Sequence, residues 1–375
     1  MLLVTRNFPP LVGGMEKLNH HLQIALADEW HVVMCGPEGS AKYATTVAEV
    51  AETSVKPLSW FLFATLWKSF RLARKHNPEW VIAGSGLTAP IAWVAARVFG
   101  AKLAVYLHGL DIIAPSSIYQ WLWLPFIRTC DLVMVNSRNT AALAESKGIC
   151  AARLQILHPG TEIPKLDSNL AQAFRVRHSL ADRPVMLSVG RLTRRKGLAE
   201  FVRDSLPSIL ARSPEALLLI IGEDAANALH KHTGSEQERI ISMARAAGVD
   251  SALRFIGHCT EADLSAAYQT AQVHVFPVLE LSGDVEGFGM VALESAAHGL
   301  KTVAFAVGGV PDAVIEPASG VLVKPQDYER FADEVLSVLT SIKDPECLAN
   351  CRRFAAGKEW GEFGKRLRQL LREAT

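Results

Sequence analysis

Charge of a single sign is what this sequence most conspicuously lacks. Its 39 Lys and Arg face 38 Asp and Glu, leaving a formal net charge of +1, and no long basic run provides a field for nucleic acid. Cysteine is sparse too, with 6 residues scattered at 35, 130, 150, 259, 347 and 351. Cys347-x3-Cys351 has no second pair at zinc-ligand spacing, so reduced thiols in a cytoplasmic protein are expected. Asp-x-Asp occurs nowhere in the chain, and no metal site or cofactor is expected. The longest apolar stretch, Val81–Phe99, is broken by Gly84, Gly86, Pro90 and Arg97 into strand, turn and helix, so it reads as core and not as a membrane span. The chain opens directly on a short strand, Leu2–Thr5, without a basic n-region or a cleavage site. A protein that stays inside the cell is expected.

What is present points to two α/β domains. At 375 residues, 49% of them hydrophobic, the chain exceeds one typical core. Short apolar runs alternate with longer amphipathic ones. Strands are expected at Leu2–Thr5, His31–Cys35, Trp80–Ala83, Lys102–Leu107, Leu132–Asn136 and Leu154–His158, then again at Val185–Gly190, Ala216–Ile221, Leu253–Gly257, Val273–Pro277 and Lys301–Ala304. Such alternation predicts parallel βαβ units in doubly wound sheets, with ligands at the carboxyl ends of the strands. The pattern pauses in between. This places domains at 1–164 and 183–357, a linker at 165–182, and a terminal segment at 358–375.

Several expected strand ends carry chemistry. Glu286-Gly-Phe-Gly-Met-Val-Ala-Leu-Glu294 sets two carboxylates around a Gly-Phe-Gly turn that opens a helix, whose unpaired N–H groups and positive dipole end suit a phosphate. Ser188-Val-Gly-Arg191 through Lys196-Gly197 also lies between a strand and a helix, and guanidinium plus ammonium suits a diphosphate. In the first half, Phe8-Pro-Pro-Leu-Val-Gly13-Gly14 follows the first strand, and His108-Gly-Leu-Asp111 follows another. Gly84-Ser-Gly86-Leu-Thr-Ala89 matches the dinucleotide fingerprint, with Asp111 where a ribose-binding acid belongs, which favours an NAD-dependent enzyme. Against this, the fingerprint ordinarily follows the first strand of its unit. Each motif also has a plainer reading as helix capping, a chain-reversing loop or a solvated basic turn.

Taken together, Gly13-Gly14, His108-Gly-Leu-Asp111, His158-Pro-Gly-Thr, Gly190-Arg191 through Lys196-Gly197, Glu286-Gly-Phe-Gly289 with Glu294, and Gly308-Gly309-x-Pro311 resemble retaining GT-B glycosyltransferases of family 4 (glycosyl transferases group 1). The resemblance spans nearly the whole chain. It implies two Rossmann-like domains facing across a cleft, with a nucleotide-sugar donor on the C-terminal one and the terminal helix packed back on the first. It further implies that Arg191, Lys196 and the main chain of Phe288 and Gly289 hold the diphosphate, that Glu294 binds the ribose, that Glu286 holds the donor sugar, and that His108 lies near the reacting carbon. Gly13, Gly14 and Asp111 would line the diphosphate or acceptor side. His158-Pro-Gly departs from the Pro-Asn-Gly frequent in relatives.

Other classes stay open at this level. A glycoside hydrolase could use the carboxylate pair but would leave the glycines and basic residues unexplained. A catalytically inactive sugar-nucleotide-binding scaffold would keep the same fold. For a transferase, a saccharide or polyprenyl-linked acceptor is expected. Trp60, Phe61, Phe63, Trp67 and Phe70, interleaved with Lys56, Lys68, Arg71, Arg74 and Lys75, together with the aromatic Tyr119–Phe126 segment, predict peripheral contact with the cytoplasmic face of an inner membrane. The same residues would also suit an ordinary helix packed on a sheet.

Overall fold

The computed structural model describes residues 1–114, 116–224, 235–341 and 345–374; Thr375, the end of the expected terminal segment, falls outside them. Two units are present. Unit 1 comprises Met1–Gly160 and Trp360–Thr375, and unit 2 comprises Thr161–Glu359.

Unit 1 is built on β1 (Leu2–Val4), β2 (Val33–Pro37), β3 (Glu49–Thr53), β4 (Trp80–Ala83), β5 (Lys102–Leu107), β6 (Leu132–Val135) and β7 (Leu154–Ile156). These pair in the order β3-β2-β1-β4-β5-β6-β7, every pair parallel. The central strands are buried on both faces, which is why Leu-Leu-Val and Val-Ile-Ala read as unbroken apolar runs. Helices α1 (Gly14–Ala27), α2 (Leu58–His76), α3 (Ala89–Phe99), α4 (Ser117–Leu122) and α5 (Leu124–Arg128) follow in chain order. α1 packs in one core layer, while α2, α3 and α5 share the opposite one.

The terminal helix, Trp360–Glu373, completes the α1 layer. Phe363, Leu367, Leu370 and Leu371 are buried there. Trp360 stacks on His21 with ring centroids 4.0 Å apart, and Arg368 donates to the Ala25 carbonyl at 3.1 Å and to Asp28 at 2.8 Å.

Unit 2 carries β8 (Val185–Val189), β9 (Leu217–Ile221), β10 (Leu253–Gly257), β11 (Val273–Phe276), β12 (Thr302–Phe305) and β13 (Gly320–Val323) in the order β10-β9-β8-β11-β12-β13. Among its helices are α6 (Ser168–Arg177), α7 (Glu261–Thr270) and α8 (Met290–Ala297). Each sheet reverses its winding beside its first strand, between β1 and β4 in unit 1 and between β8 and β11 in unit 2. A doubly wound sheet opens its ligand crevice at that point.

The expected linker at 165–182 is corrected. Asp167 caps α6 by accepting from the amides of Asn169 and Leu170, and α6 packs on α7. Arg175 donates to the carbonyls of Thr270 at 3.2 Å and Arg183 at 2.7 Å. These bonds and the buried Phe174 tie the segment to unit 2, and the boundaries fall at Gly160/Thr161 and Glu359/Trp360. No helix among the described residues is long and apolar enough to cross a membrane.

Leu367→Ala should lower stability to urea by about 2–5 kcal/mol, as expected for truncation of a fully buried leucine. A loss under about 1 kcal/mol would show that the terminal helix is not part of the unit 1 core.

Candidate functional site

In unit 2 the loops after β8 and β11 meet at the switch point. The first turns through Gly190 and a short 3-10 turn, Arg194–Lys196, and is held by main chain: the Leu279 amide donates to the Arg195 carbonyl at 2.8 Å. Gly197 has φ +69°, and a Cβ there would lie 1.9 Å from the Pro277 carbonyl oxygen. Only glycine fits. The second loop rests on the Gly308-Gly309 turn. The Gly309 amide donates to the Glu286 carbonyl at 2.8 Å, and a Cβ on Gly309 would sit 2.0 Å from the Gly287 carbonyl oxygen. Gly289 then opens α8 with φ +101°.

These constraints bring Lys196 and Glu286 together, Lys196 Nζ donating to Glu286 Oε2 at 2.8 Å. Sequence reasoning missed two partners. Arg195 also donates to Glu286, and its Nε lies 2.9 Å from Asp284 Oδ1. The available signal was a run of three cations, Arg194 to Lys196, matching the alternating carboxylates Asp284 and Glu286; only the fold shows that the two segments face each other. Burial acts to raise the Glu286 carboxyl, but the charges of Arg195 and Lys196 outweigh it and hold the group at about 2. Burial and the Arg195 charge lower Lys196 despite its carboxylate partner. Behind them, Lys196 Nζ lies 4.6 Å from the centroid of the Phe276 ring. Buried His274 is pushed down to about 3 by burial and by Lys196, so it adds no positive charge at neutral pH.

Glu294 lies farther along α8, with Tyr268 Oη 3.4 Å from its Oε2. The Phe288 side chain is core, under Lys358 at 6.0 Å. Arg191 is exposed on the rim of the first loop, where its charge also lowers Lys196.

In unit 1 the strand ends are knitted through backbone. His108 Nε2 meets the Gly84 carbonyl at 3.0 Å, and Asn19 of α1 donates to the same oxygen at 3.2 Å. A carbonyl only accepts, so His108 Nε2 carries a proton toward it. Asn136 donates to the His108 carbonyl at 3.2 Å, and His158 Nδ1 meets the Asn136 carbonyl at 3.1 Å. Gly13 accepts from the Lys17 amide at 3.0 Å as α1 begins, beside exposed Gly14.

Asp111 has a role the sequence did not reveal. Its Oδ1 accepts from the amides of His108 at 2.8 Å and Gly109 at 3.0 Å, and its Oδ2 accepts from the Gly86 amide at 2.9 Å. The fingerprint's second glycine therefore already has an anion on its N–H. A Cβ at Gly84 would lie 2.3 Å from Asn19 Oδ1, and one at Gly86 would lie 2.7 Å from Tyr119 Oη. Both glycines serve internal packing, so the nicotinamide reading loses its pyrophosphate cradle.

Two doubly wound parallel sheets, one with glycine loops, paired cations and a carboxylate at its switch point, define a double-Rossmann protein of the GT-B class. The solved structures agree on the fold. The chain is similar to Anabaena Alr3699/HepE in complex with UDP (TM-score 0.79, 18% identity, covering 99% of both chains) and to sucrose-phosphate synthase from Thermosynechococcus elongatus (TM-score 0.77, 22% identity, covering 99% and 98%). In sequence it is 27% identical over 391 residues to a GDP-mannose-dependent alpha-(1-6)-phosphatidylinositol monomannoside mannosyltransferase of Mycolicibacterium smegmatis, covering 99% of this chain and 98% of that one. It is also 27% identical to a glycogen synthase of Mycobacterium tuberculosis, covering 97% and 91%. Residues 12–163 match Glycosyltransferase Family 4 and residues 172–355 match Glycosyl transferases group 1. The chain belongs to glycosyltransferase family 4.

The ion cluster gives a pH signature. A carboxyl held below its ordinary value of 4.5 contributes stability above that pH and loses it as pH falls toward about 2. The stability difference between the wild-type protein and Glu286→Gln should therefore be flat from neutral pH down to about 5 and shrink below about 4.5, its pH-dependent part on the order of 3 kcal/mol. Urea unfolding across that range checks it, and a difference that ignores pH would contradict the pairing.

Proposed function

We propose that this protein transfers a hexose-type sugar, mannose- or rhamnose-like or glucose-like, from a nucleoside-diphosphate donor to a saccharide or polyprenyl-linked saccharide, with retention of configuration. The reading places it in bacterial surface polysaccharide synthesis, at the cytoplasmic face of the inner membrane. One observation supports it above the others: Lys196, Arg195 and Glu286 converge where a glycine turn opens α8. A diphosphate brought to the α8 N-terminus competes with Glu286 for Lys196 and gains the charge-assisted bonds a leaving group needs. Arg195 remains to keep Glu286 ionised.

In this reading Glu294 binds the ribose, the Phe288 and Gly289 main chain and Arg191 complete the diphosphate site, and Glu286 holds hydroxyls of the donor sugar. His108 lies against that sugar near the reacting carbon, while Gly13 and Gly14 line the acceptor side. Asp111 acts through the His108 loop, whose amides it holds. Retention follows from same-face attack, with the departing phosphate taking the acceptor proton, so Glu286 is not a nucleophile. A glycoside hydrolase would require its carboxylates to flank a bond with room for water. Here Glu286 is occupied by two cations. The similarity to a GDP-mannose-dependent enzyme makes GDP-mannose the first donor to test.

Charge on the leaving diphosphate is met by Lys196, Arg191 and the helix N-terminus, so transfer should survive EDTA. Loss with EDTA and rescue by Mn²⁺ would overturn this. A thermal-shift series with UDP, GDP and ADP should single out one nucleotide, which at a hundred times its Kd would stabilise by about 2.7 kcal/mol. No response to any of the three would contradict a nucleotide-sugar site.

A further inference from the structure

Helix α2 is amphipathic in an inverted sense. Its inner face carries Phe61, Ala64, Thr65, Ser69, Leu72 and Ala73, while Trp60, Phe63 and Trp67 on the outer face are 54%, 67% and 58% exposed. These three recur at i, i+3 and i+7, forming one stripe that continues into exposed Arg71 and Arg74. Arg71 lies over the Trp67 ring at 5.9 Å, a cation and an aromatic paired where the apolar part of the stripe ends. An exposed apolar stripe rimmed by polar groups marks an interaction surface.

The stripe belongs to a larger face. α2 packs on α3, α3 on α5, and α5 on α4, with Trp93 of α3 edge-on to Phe126 of α5 at 5.2 Å. At the far end, Ile118 and Trp121 of α4 are 69% and 77% exposed. All four helices lie on one side of the sheet or continue that layer. Their sequences contain Lys68, Arg71, Arg74, Lys75, Arg97 and Arg128 but no Asp or Glu, although the whole chain is balanced. Lys75 is paired with Glu49 of β3, whereas Arg71 and Arg74 extend the outer stripe. A two-fold contact of this face with a second copy would set like charges against each other. An anionic bilayer supplies both apolar depth and negative headgroups.

Chain direction adds a position. In parallel sheets a helix begins at the carboxyl edge of the strand before it, so the first turns of α2 lie at that edge. The α4 segment, which follows β5 and His108, lies there too. Trp123, just after α4, donates to the Leu87 carbonyl at 2.9 Å, beside Gly86. Trp60 and Phe63 in the first turns of α2 and Trp121 of α4 thus lie toward the edge that holds His108 and Gly13-Gly14, with Trp67, Arg71 and Arg74 farther along α2.

We infer that the α2 to α4 side of unit 1 docks on an anionic lipid surface, with Trp60, Phe63, Trp67 and Trp121 in the interface and Arg71 and Arg74 on headgroups. This deepens the proposed function by naming the surface that brings the lipid end of an acceptor to the acceptor-side edge, and for that purpose alone it rests on that reading.

Flotation of the full-length protein with phosphatidylcholine vesicles, with and without phosphatidylglycerol, tests the surface without any transfer reaction. The wild-type protein should float with anionic vesicles at low salt and release at high salt, and brominated lipid should quench its tryptophan fluorescence. Trp60→Ser/Phe63→Ser/Trp67→Ser should cut the bound fraction about tenfold or more. Arg71→Gln/Arg74→Gln should weaken binding and flatten its salt dependence. An unchanged thermal response to the donor nucleotide would show both variants folded. No flotation at low salt, or a triple variant that floats like wild type, overturns the inference. So does a dimer dissociated by the same substitutions without vesicle binding. Vesicle binding with no nucleotide response would leave the surface standing and remove the transferase reading instead.

Discussion

A buried carboxylate between two cations governs unit 2. Glu286 is only 12% exposed, and Arg195 and Lys196 are 12% and 15% exposed. Leaving any one of the three unpaired at that depth would be strongly destabilising. The loops after β8 and β11 must therefore stay in register, and the glycines make that register attainable. Gly197 against Pro277, Gly222 against Gly190 and Gly309 against Gly287 are all backbone-on-backbone contacts in which a Cβ would come within about 2 Å of an oxygen. The motif glycines thus close the frame that aims Lys196 and Glu286, in addition to exposing the α8 N-terminus. With Asp284 also on Arg195, the two carboxylates balance the two cations of the cluster.

Unit 1 solves a similar problem with opposite polarity. The amides of Gly86, His108 and Gly109 form a small anion cradle, and Asp111 fills it from within the chain. That is why a sequence resembling a dinucleotide fingerprint does not make a pyrophosphate site here. The same bonds fix the loop bearing His108, whose Nε2 donates to the Gly84 carbonyl. The two halves share a topology, yet one pairs its cations with carboxylates at the switch point while the other satisfies its own backbone.

Much of the architecture was legible because parallel strands buried on both faces are near-continuous apolar runs, and 11 of the 13 strands of the two sheets were expected at close to their observed positions. The two that were missed, β3 and β13, are edge strands. Glu49-Val-Ala-Glu-Thr53 is mostly half-exposed with three polar residues of five, while Val321 and Leu322 of Gly320-Val-Leu-Val323 are half-exposed, so neither gives the buried-strand signal. The linker was misplaced because Phe174 is the only buried residue of α6, so the segment reads as a connector. In the site, Lys196 and Glu286 could be picked out singly by their glycine neighbours. Arg195 and Asp284 could not, since their contact across some ninety residues exists only because β8 and β11 are neighbours at the switch point. The role of Asp111 depends on three amides from two loops, which no spacing rule encodes.

In the proposed transfer the two carboxylates of the Glu286–Glu294 segment do different work. Ribose bonding would hardly change, so Glu294 would contribute equally to ground and transition states, whereas Glu286 would act on a sugar that gains positive charge as the diphosphate departs. Steady-state kinetics of Glu286→Gln and Glu294→Gln, with donor varied and folding verified, tests this most directly. Glu286→Gln should lower kcat by about 10²-fold, whereas Glu294→Gln should raise donor KM with kcat preserved. Loss of kcat at unchanged KM in Glu294→Gln, together with near-normal kinetics in Glu286→Gln, would contradict it.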